Sequence, residues 1–89
     1  MIIRYSPSFL TTLKKANVRI RKSFEEHITL FAKNAHNPHL SNHALKRKYQ
    51  GYRSINITAD WRAIYQEKQE GNELVAYFVA LGTHKELYK

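Results

Sequence analysis

The amino-acid sequence predicts an α+β fold, in which two N-terminal helices pack on one face of a small antiparallel sheet. The expected order is β-α-α-β-β-β with a short C-terminal turn or helix. Three observations predict it. Apolar residues recur at helical spacing through the first part of the chain. From residue 51 onward, three runs rich in β-branched and aromatic residues are separated by turn signals. Between the last two runs stands Gly71-Asn72, a strong two-residue hairpin turn.

MIIRY, residues 1–5, reads as a short strand that joins the sheet beside a neighbour the sequence does not specify. Ser6-Pro7 follows as an N-cap with proline at the first helical position, and Phe9, Leu10 and Leu13 form a short apolar face. The helix falters near Ala16-Asn17. A second begins near Val18, with Ile20, Phe24, Ile28, Phe31 and Ala35 on one face and Arg19, Lys22, Glu26 and Lys33 outside. Asn37-Pro38 stops it, because proline disfavours helix at the residue before. GYRSINIT (51–58), WRAIYQEK (61–68) and ELVAYFVALG (73–82) are the strands of the second half. If the turn sets the register, Glu70 faces Glu73, and a uniform ladder then sets Arg62 opposite Leu81, Trp61 opposite Gly82 and Asp60 opposite Thr83. A short turn near Ala59 brings Asn56 and Ile57 to the same end. Asp60 and His84, far apart in sequence, thereby become neighbours.

The 89 residues form one domain, 1–89, and 43% hydrophobic content with 12% aromatics is sufficient for a packed core. Without cysteine there are no disulfides and no thiolate metal sites. No apolar run approaches the roughly 18 residues of a membrane span, and the polar SPS at 6–8 interrupts any signal-peptide core. A cytoplasmic protein with no membrane partner is the expectation. Fifteen Lys and Arg against seven Asp and Glu give a net charge of +8 on a very small surface. Such a surface gains from counterion release on phosphate, which points to nucleic acid or an acidic protein as partner.

Lys46, Arg47, Lys48 and Arg53 interleave with Tyr49 and Tyr52, a mixture of phosphate-holding cations and base-stacking rings suited to single-stranded nucleic acid. His43 precedes this cluster. His36, His39 and His43 have a spacing that suggests metal on a helix, but Pro38 breaks that helix and no carboxylate or cysteine completes the set, so no metal and no cofactor is expected. Taken singly, the remaining candidates have plain structural readings: Asp60 as a turn residue, Arg62 paired with it, His84 as a cap and Tyr88 as packing. Together, His43, Asp60, Arg62, His84 and Tyr88 gather at one basic rim. RNA is cut there if a base takes the proton of the 2′-OH, an acid protonates the leaving 5′-oxygen and cations stabilise the extra phosphorane charge. The two histidines and Asp60 suit the proton transfers, and Arg53, Arg62 and Lys46 suit the phosphate.

The stretches NHALKRKYQGYRSINITADWRAIY and VALGTHKELY resemble the RelE/ParE superfamily of bacterial toxins, and most closely its YafQ-like branch. The resemblance implies a ribosome-dependent mRNA endonuclease, held inactive by an antitoxin encoded beside it. It assigns His43 to the family's D/N-H-x-L histidine, Asp60 with Trp61 to its D-W pair and His84 to the histidine of its G-T-H ending. Arg53 and Arg62 correspond to phosphate-contacting basic residues, and Tyr88 to the terminal aromatic. Asn56, Trp61 and Lys85 complete the expected RNA-contact set. At Asn56 the YafQ-like pattern has another catalytic histidine, and an amide cannot exchange a proton near neutral pH. The alternative is a ParE-like or catalytically weakened toxin that binds a partner protein without cutting RNA.

Overall fold

Ser6 and Asn17 start the two long helices. In the computed structural model, which describes residues 1–88, β1 (Ile2–Tyr5) runs into α1 (Pro7–Lys15), and Ser6 Oγ accepts the Phe9 N–H at 3.0 Å. Lys89, the last residue of the expected domain, lies outside the described residues. The Asn17 side chain likewise accepts the Ile20 N–H at 3.1 Å to begin α2 (Val18–Lys33). Arg19, Lys22, Glu26 and Lys33 are exposed, as expected. The helix ends before the Asn37-Pro38 stop that the sequence suggests. Asn34 Oδ1 accepts the N–H of His36 at 3.0 Å, a local bond that competes with the helical ladder. Ala35 therefore lies beyond the helix, although it still packs against the core. Short 3₁₀ turns follow at Pro38–Leu40 and Arg47–Tyr49.

The sheet contains β2 (His43–Ala44), β3 (Arg53–Asn56), β4 (Trp61–Glu70) and β5 (Glu73–Thr83), and the chain closes with α3 (His84–Leu87). Strand order is β1-β5-β4-β3-β2. The last four strands are antiparallel, whereas β1 lies parallel to β5 from Ile2 opposite Val75 to Tyr5 opposite Phe78. The sheet is thus mixed. A parallel pair needs a long crossover, and the intervening chain, both helices included, supplies it.

Gly71 turns the hairpin with φ +61° and is the first central residue, the type II′ pattern in which only that position has positive φ. The predicted register holds from Glu70 opposite Glu73 to Tyr65 opposite Phe78. Beyond it a bulge intervenes, and Ile64 pairs with Ala80, leaving Val79 as the extra residue. Arg62 consequently faces Gly82 and Trp61 faces Thr83, one residue further along β5 than a uniform ladder sets them. Phe78 and Leu81 both face the core, although strict alternation would place residues three apart on opposite faces; the bulge resolves that conflict.

Phe78 is the centre of that core. Its ring meets Tyr65, Phe31, Phe9, Tyr5 and Phe24 at centroid distances of 5.1, 5.4, 5.7, 5.8 and 6.4 Å, joining both helices to the sheet. Each such ring contributes about 1.5–3 kcal/mol on burial. The Tyr65 hydroxyl accepts from Asn42 Nδ2 at 2.7 Å; the same amide donates to Ala35 O at 2.8 Å, and Asn42 Oδ1 accepts from Arg53 Nε at 2.8 Å. This bracket fastens the segment before β2 to the central strand. Among the described residues, no helix is long and apolar enough to cross a membrane.

The opposite face of the sheet receives the tail. A Cβ at Gly82 would meet Glu86 Oε1 and Leu87 Cγ and Cδ2 at 3.4 Å, so α3 folds back to van der Waals distance of the strand here. Thr83 and Glu86 form a capping box, with the Thr83 N–H donating to Glu86 Oε1 at 2.9 Å and the Glu86 N–H to Thr83 Oγ1 at 3.2 Å. The His84 N–H donates to Asp60 O at 2.9 Å, which ties the tail to the β3–β4 turn.

Burial pushes the Tyr65 and Tyr5 hydroxyls above the usual tyrosine range. The unfolded chain ionises first as pH rises past about 10, so their contribution is full below that pH and is lost as pH climbs through the raised folded values. Tyr65→Phe should cost about 1 kcal/mol at neutral pH, by loss of the Asn42 bond, and should flatten the alkaline fall in stability. Urea melts at neutral pH and at about pH 10.5 check both parts; an unchanged alkaline slope would contradict the assignment.

Candidate active site

His43 stands on the short edge strand β2, opposite Ser54. Its Nδ1 lies 2.9 Å from the carbonyl oxygen of Ser41. A carbonyl only accepts, so Nδ1 carries the proton, and in the neutral ring the Nε2 lone pair is free. Ser41 itself adopts φ +47°, which turns the chain so that its carbonyl meets the ring two residues on. The Asn42 bracket anchors the intervening position.

Arg62 projects from β4 on the face away from the helices, since its neighbour Ala63 belongs to the core. Its Nη1 donates to the carbonyls of Thr58, Ala59 and Trp61, each at 3.1 Å. Neutral carbonyls hold the guanidinium in place without cancelling its charge. The Asp60 pairing suggested by the sequence is not formed; among the described residues the one ion pair is Arg4 with Glu70, at 3.4 Å on the surface. Asn56 pairs with Arg62 across the ladder and shares its face. From the tail, the His84 ring packs on Tyr88 with centroids 4.6 Å apart, and Tyr88 meets Tyr49 edge-on at 6.0 Å.

These elements enclose a cleft of about 420 Å³ lined by His43, Lys46, Asn56, Arg62, His84 and Tyr88, together with Ser41 and Leu45. Among the described residues no carboxylate lines it, so their field favours an anion. Six of the residues singled out in the sequence therefore meet at one place. The others do not. Asp60 and Trp61 line a separate depression with Asn17, Arg19, Ile20, Ser23 and Thr58, and Asp60 reaches the cleft only through its main-chain bond to His84. Arg53 shares the core face of β3 with Ile55 and is bound to Asn42. Arg47 and Lys48 line an adjoining depression, and Lys85 is exposed beside His84 without lining the cleft. Among the described residues no three of His, Cys, Asp and Glu gather into a metal-binding group.

Sequence reasoning gave no role to Ser41 or Leu45, and none to Asn42 beyond its place in the His43 motif. Ser and Asn before a histidine signal only a turn. Their roles come from a left-handed backbone and from a bond to a strand 23 residues away, neither of which is local information.

A mixed five-stranded sheet, with two helices on one face and a basic, histidine-bearing cleft at the tail, defines the class of small RelE-like toxin folds. The family described as bacterial toxin of type II toxin-antitoxin system, YafQ, matches residues 1–89, and the chain belongs to it. The chain is similar to YafQ from E. coli, with 25% identity and a TM-score of 0.78 over 98% of this chain and 97% of that one. It is likewise similar to the E. coli DinJ-YafQ toxin-antitoxin complex, with 25% identity and a TM-score of 0.75 over 98% and 96%. A YoeB/ParE toxin from Agrobacterium tumefaciens shares the fold at 20% identity, with a TM-score of 0.75 over 94% and 99%. No curated protein matches the chain by sequence.

Arg47 adopts φ +60°, a left-handed conformation that costs a side-chain-bearing residue roughly 1–2 kcal/mol. Arg47→Gly should therefore raise stability by about 0.5–1 kcal/mol after the glycine's own entropy is subtracted. If Arg47 contacts an RNA phosphate, as the sequence predicts, the same change should weaken single-stranded RNA binding and lower the salt slope by about 0.7. Urea melts with binding titrations over a salt series test this, and an undiminished slope would exclude Arg47 from the RNA surface.

Proposed function

We propose that this toxin acts as an endoribonuclease on mRNA bound to the ribosome, using acid–base chemistry on its own side chains without a metal ion. The observation that carries the proposal is the cleft that two histidines from distant elements line together with Arg62, with no carboxylate among its described residues. His43 Nε2, free because Nδ1 is committed to Ser41, takes the proton from the 2′-OH. The 2′-oxygen then bonds to phosphorus as the P–O5′ bond breaks. His84 supplies the proton to the departing 5′-oxygen, leaving a 2′,3′-cyclic phosphate and a 5′-hydroxyl. Arg62 and Lys46 stabilise the charge on the pentacoordinate phosphorus, and Tyr88 places the nucleotide. Asn56 cannot gain or lose a proton near neutral pH and acts by donating an amide N–H to the phosphate. Asp60 serves as a positioning residue, through the carbonyl that holds His84.

His84→Gln keeps size and hydrogen bonding but cannot exchange a proton near neutrality. Cleavage of mRNA on programmed ribosomes should fall by about 10²-fold or more, while stability changes by no more than about 1 kcal/mol for this exposed residue. Full cleavage by the folded variant would remove His84 from the chemistry.

An antitoxin is the proposed protein partner, supported by membership of a toxin-antitoxin family and by the E. coli DinJ-YafQ complex. The net charge of +8 calls for an acidic one whose segment covers the cleft and neutralises Arg62 and Lys46. Co-expression with the protein encoded next to this toxin should restore growth and yield a stable complex. A neighbour that neither binds nor protects would remove the support for this pairing.

A further inference from the structure

Lys46 and Tyr88 each line two depressions. The first is the cleft already described. The second, of about 330 Å³, is completed by Arg47, Lys48 and Tyr49, and its size is at the lower end of ligand pockets. Three cations and two phenol rings form its walls, again with no carboxylate among the described residues.

The Tyr49 ring is held edge-on by two others, Tyr52 at 6.1 Å and Tyr88 at 6.0 Å, with interplanar angles of 77° and 87°. Lys48 Nζ stands over one face of this ring, 5.3 Å from its centroid. A ring braced in this way loses little freedom when a planar ligand stacks on it. An inorganic anion or an acidic peptide would satisfy the cations but would leave the ring face opposite Lys48 unused. A nucleobase carried next to a phosphate uses both. Because the two depressions share Lys46 and Tyr88, a single strand passing from one to the other places successive nucleotides in them.

We propose that the second depression is a base-binding subsite, stacking on Tyr49 the nucleobase of a nucleotide that adjoins the scissile phosphate, with Lys46 at the phosphate between them. The inference rests on the reading of the first cleft as the place where RNA is cut. It makes Tyr49 a residue that governs substrate affinity, distinct from the proton-transfer pair.

The test uses the full chain and a short ribo-oligonucleotide, 2′-O-methylated throughout so that it cannot be cut, with a fluorescent label for anisotropy. Companion probes lack the base at one position at a time. One position next to the intended scissile phosphate should show about tenfold weaker binding when its base is removed, the scale of one base–aromatic stack. Tyr49→Leu should erase that difference, and Tyr49→Phe should preserve it. Equal binding of the intact probe and every abasic probe by the natural protein overturns the proposal, whether or not the Tyr49→Leu variant folds. Discrimination that survives in folded Tyr49→Leu overturns it as well. A poly-glutamate peptide whose binding depends on Tyr49, alongside an oligonucleotide whose binding does not, would make the depression a protein-docking site instead. Loss of ribosomal cleavage with base discrimination intact would strike at the proposed function alone; cleavage without base discrimination would strike at this subsite alone.

Discussion

Gly71 and Asn72 turn the chain so that Glu70 meets Glu73, and from that pairing the β4–β5 hairpin extends to the far end of the sheet. Every other element takes its place from it. β1 adds to the outer edge of β5 and β3 to the inner edge of β4. The helices pack on the face that carries Phe78, and α3 folds back where β5 ends. A change of register in this hairpin would carry each side chain of one strand to the opposite face, so the core and the cleft depend on the same set of main-chain bonds.

The bulge at Val79 is where core and cleft come to terms. The core requires both Phe78 and Leu81 on the helix side, and a single extra residue allows this. The same step leaves Gly82, which has no side chain, opposite Arg62 and under Leu87. Just beyond Gly82 the His84 N–H donates to the Asp60 carbonyl. A device that repairs apolar alternation thereby positions a histidine.

Charge and geometry divide the work at the cleft. The +8 surface acts over a distance of about a Debye length, some 8 Å in physiological salt, and draws polyanions without selecting an orientation. Orientation comes from short contacts made by uncharged partners: the Ser41 carbonyl on His43, three carbonyls on Arg62 and the Tyr88 ring on His84. None of these neutralises a cation or an imidazole. The groups are held in place without being paired to an anion among the described residues.

Much of this was legible in the sequence, because it is written in local chemistry. Ser6-Pro7 and Asn17 mark helix starts through side-chain capping, helical spacing marks the buried face of Phe24 and Phe31, and Gly71-Asn72 marks the hairpin. The residues carrying the toxin-family resemblance likewise lie in two contiguous stretches. The tertiary structure decided what depends on atoms far apart along the chain. It set β1 parallel to β5, shifted Arg62 by one position through a bulge that balances the packing of both faces, and turned Asp60 away from the cleft while using its carbonyl. It also joined Asn42 to Tyr65 and Arg53, a bracket invisible to any window of sequence. Capping and turn preferences act over three or four residues, whereas registers, bulges and side-chain directions minimise the energy of the whole packed chain.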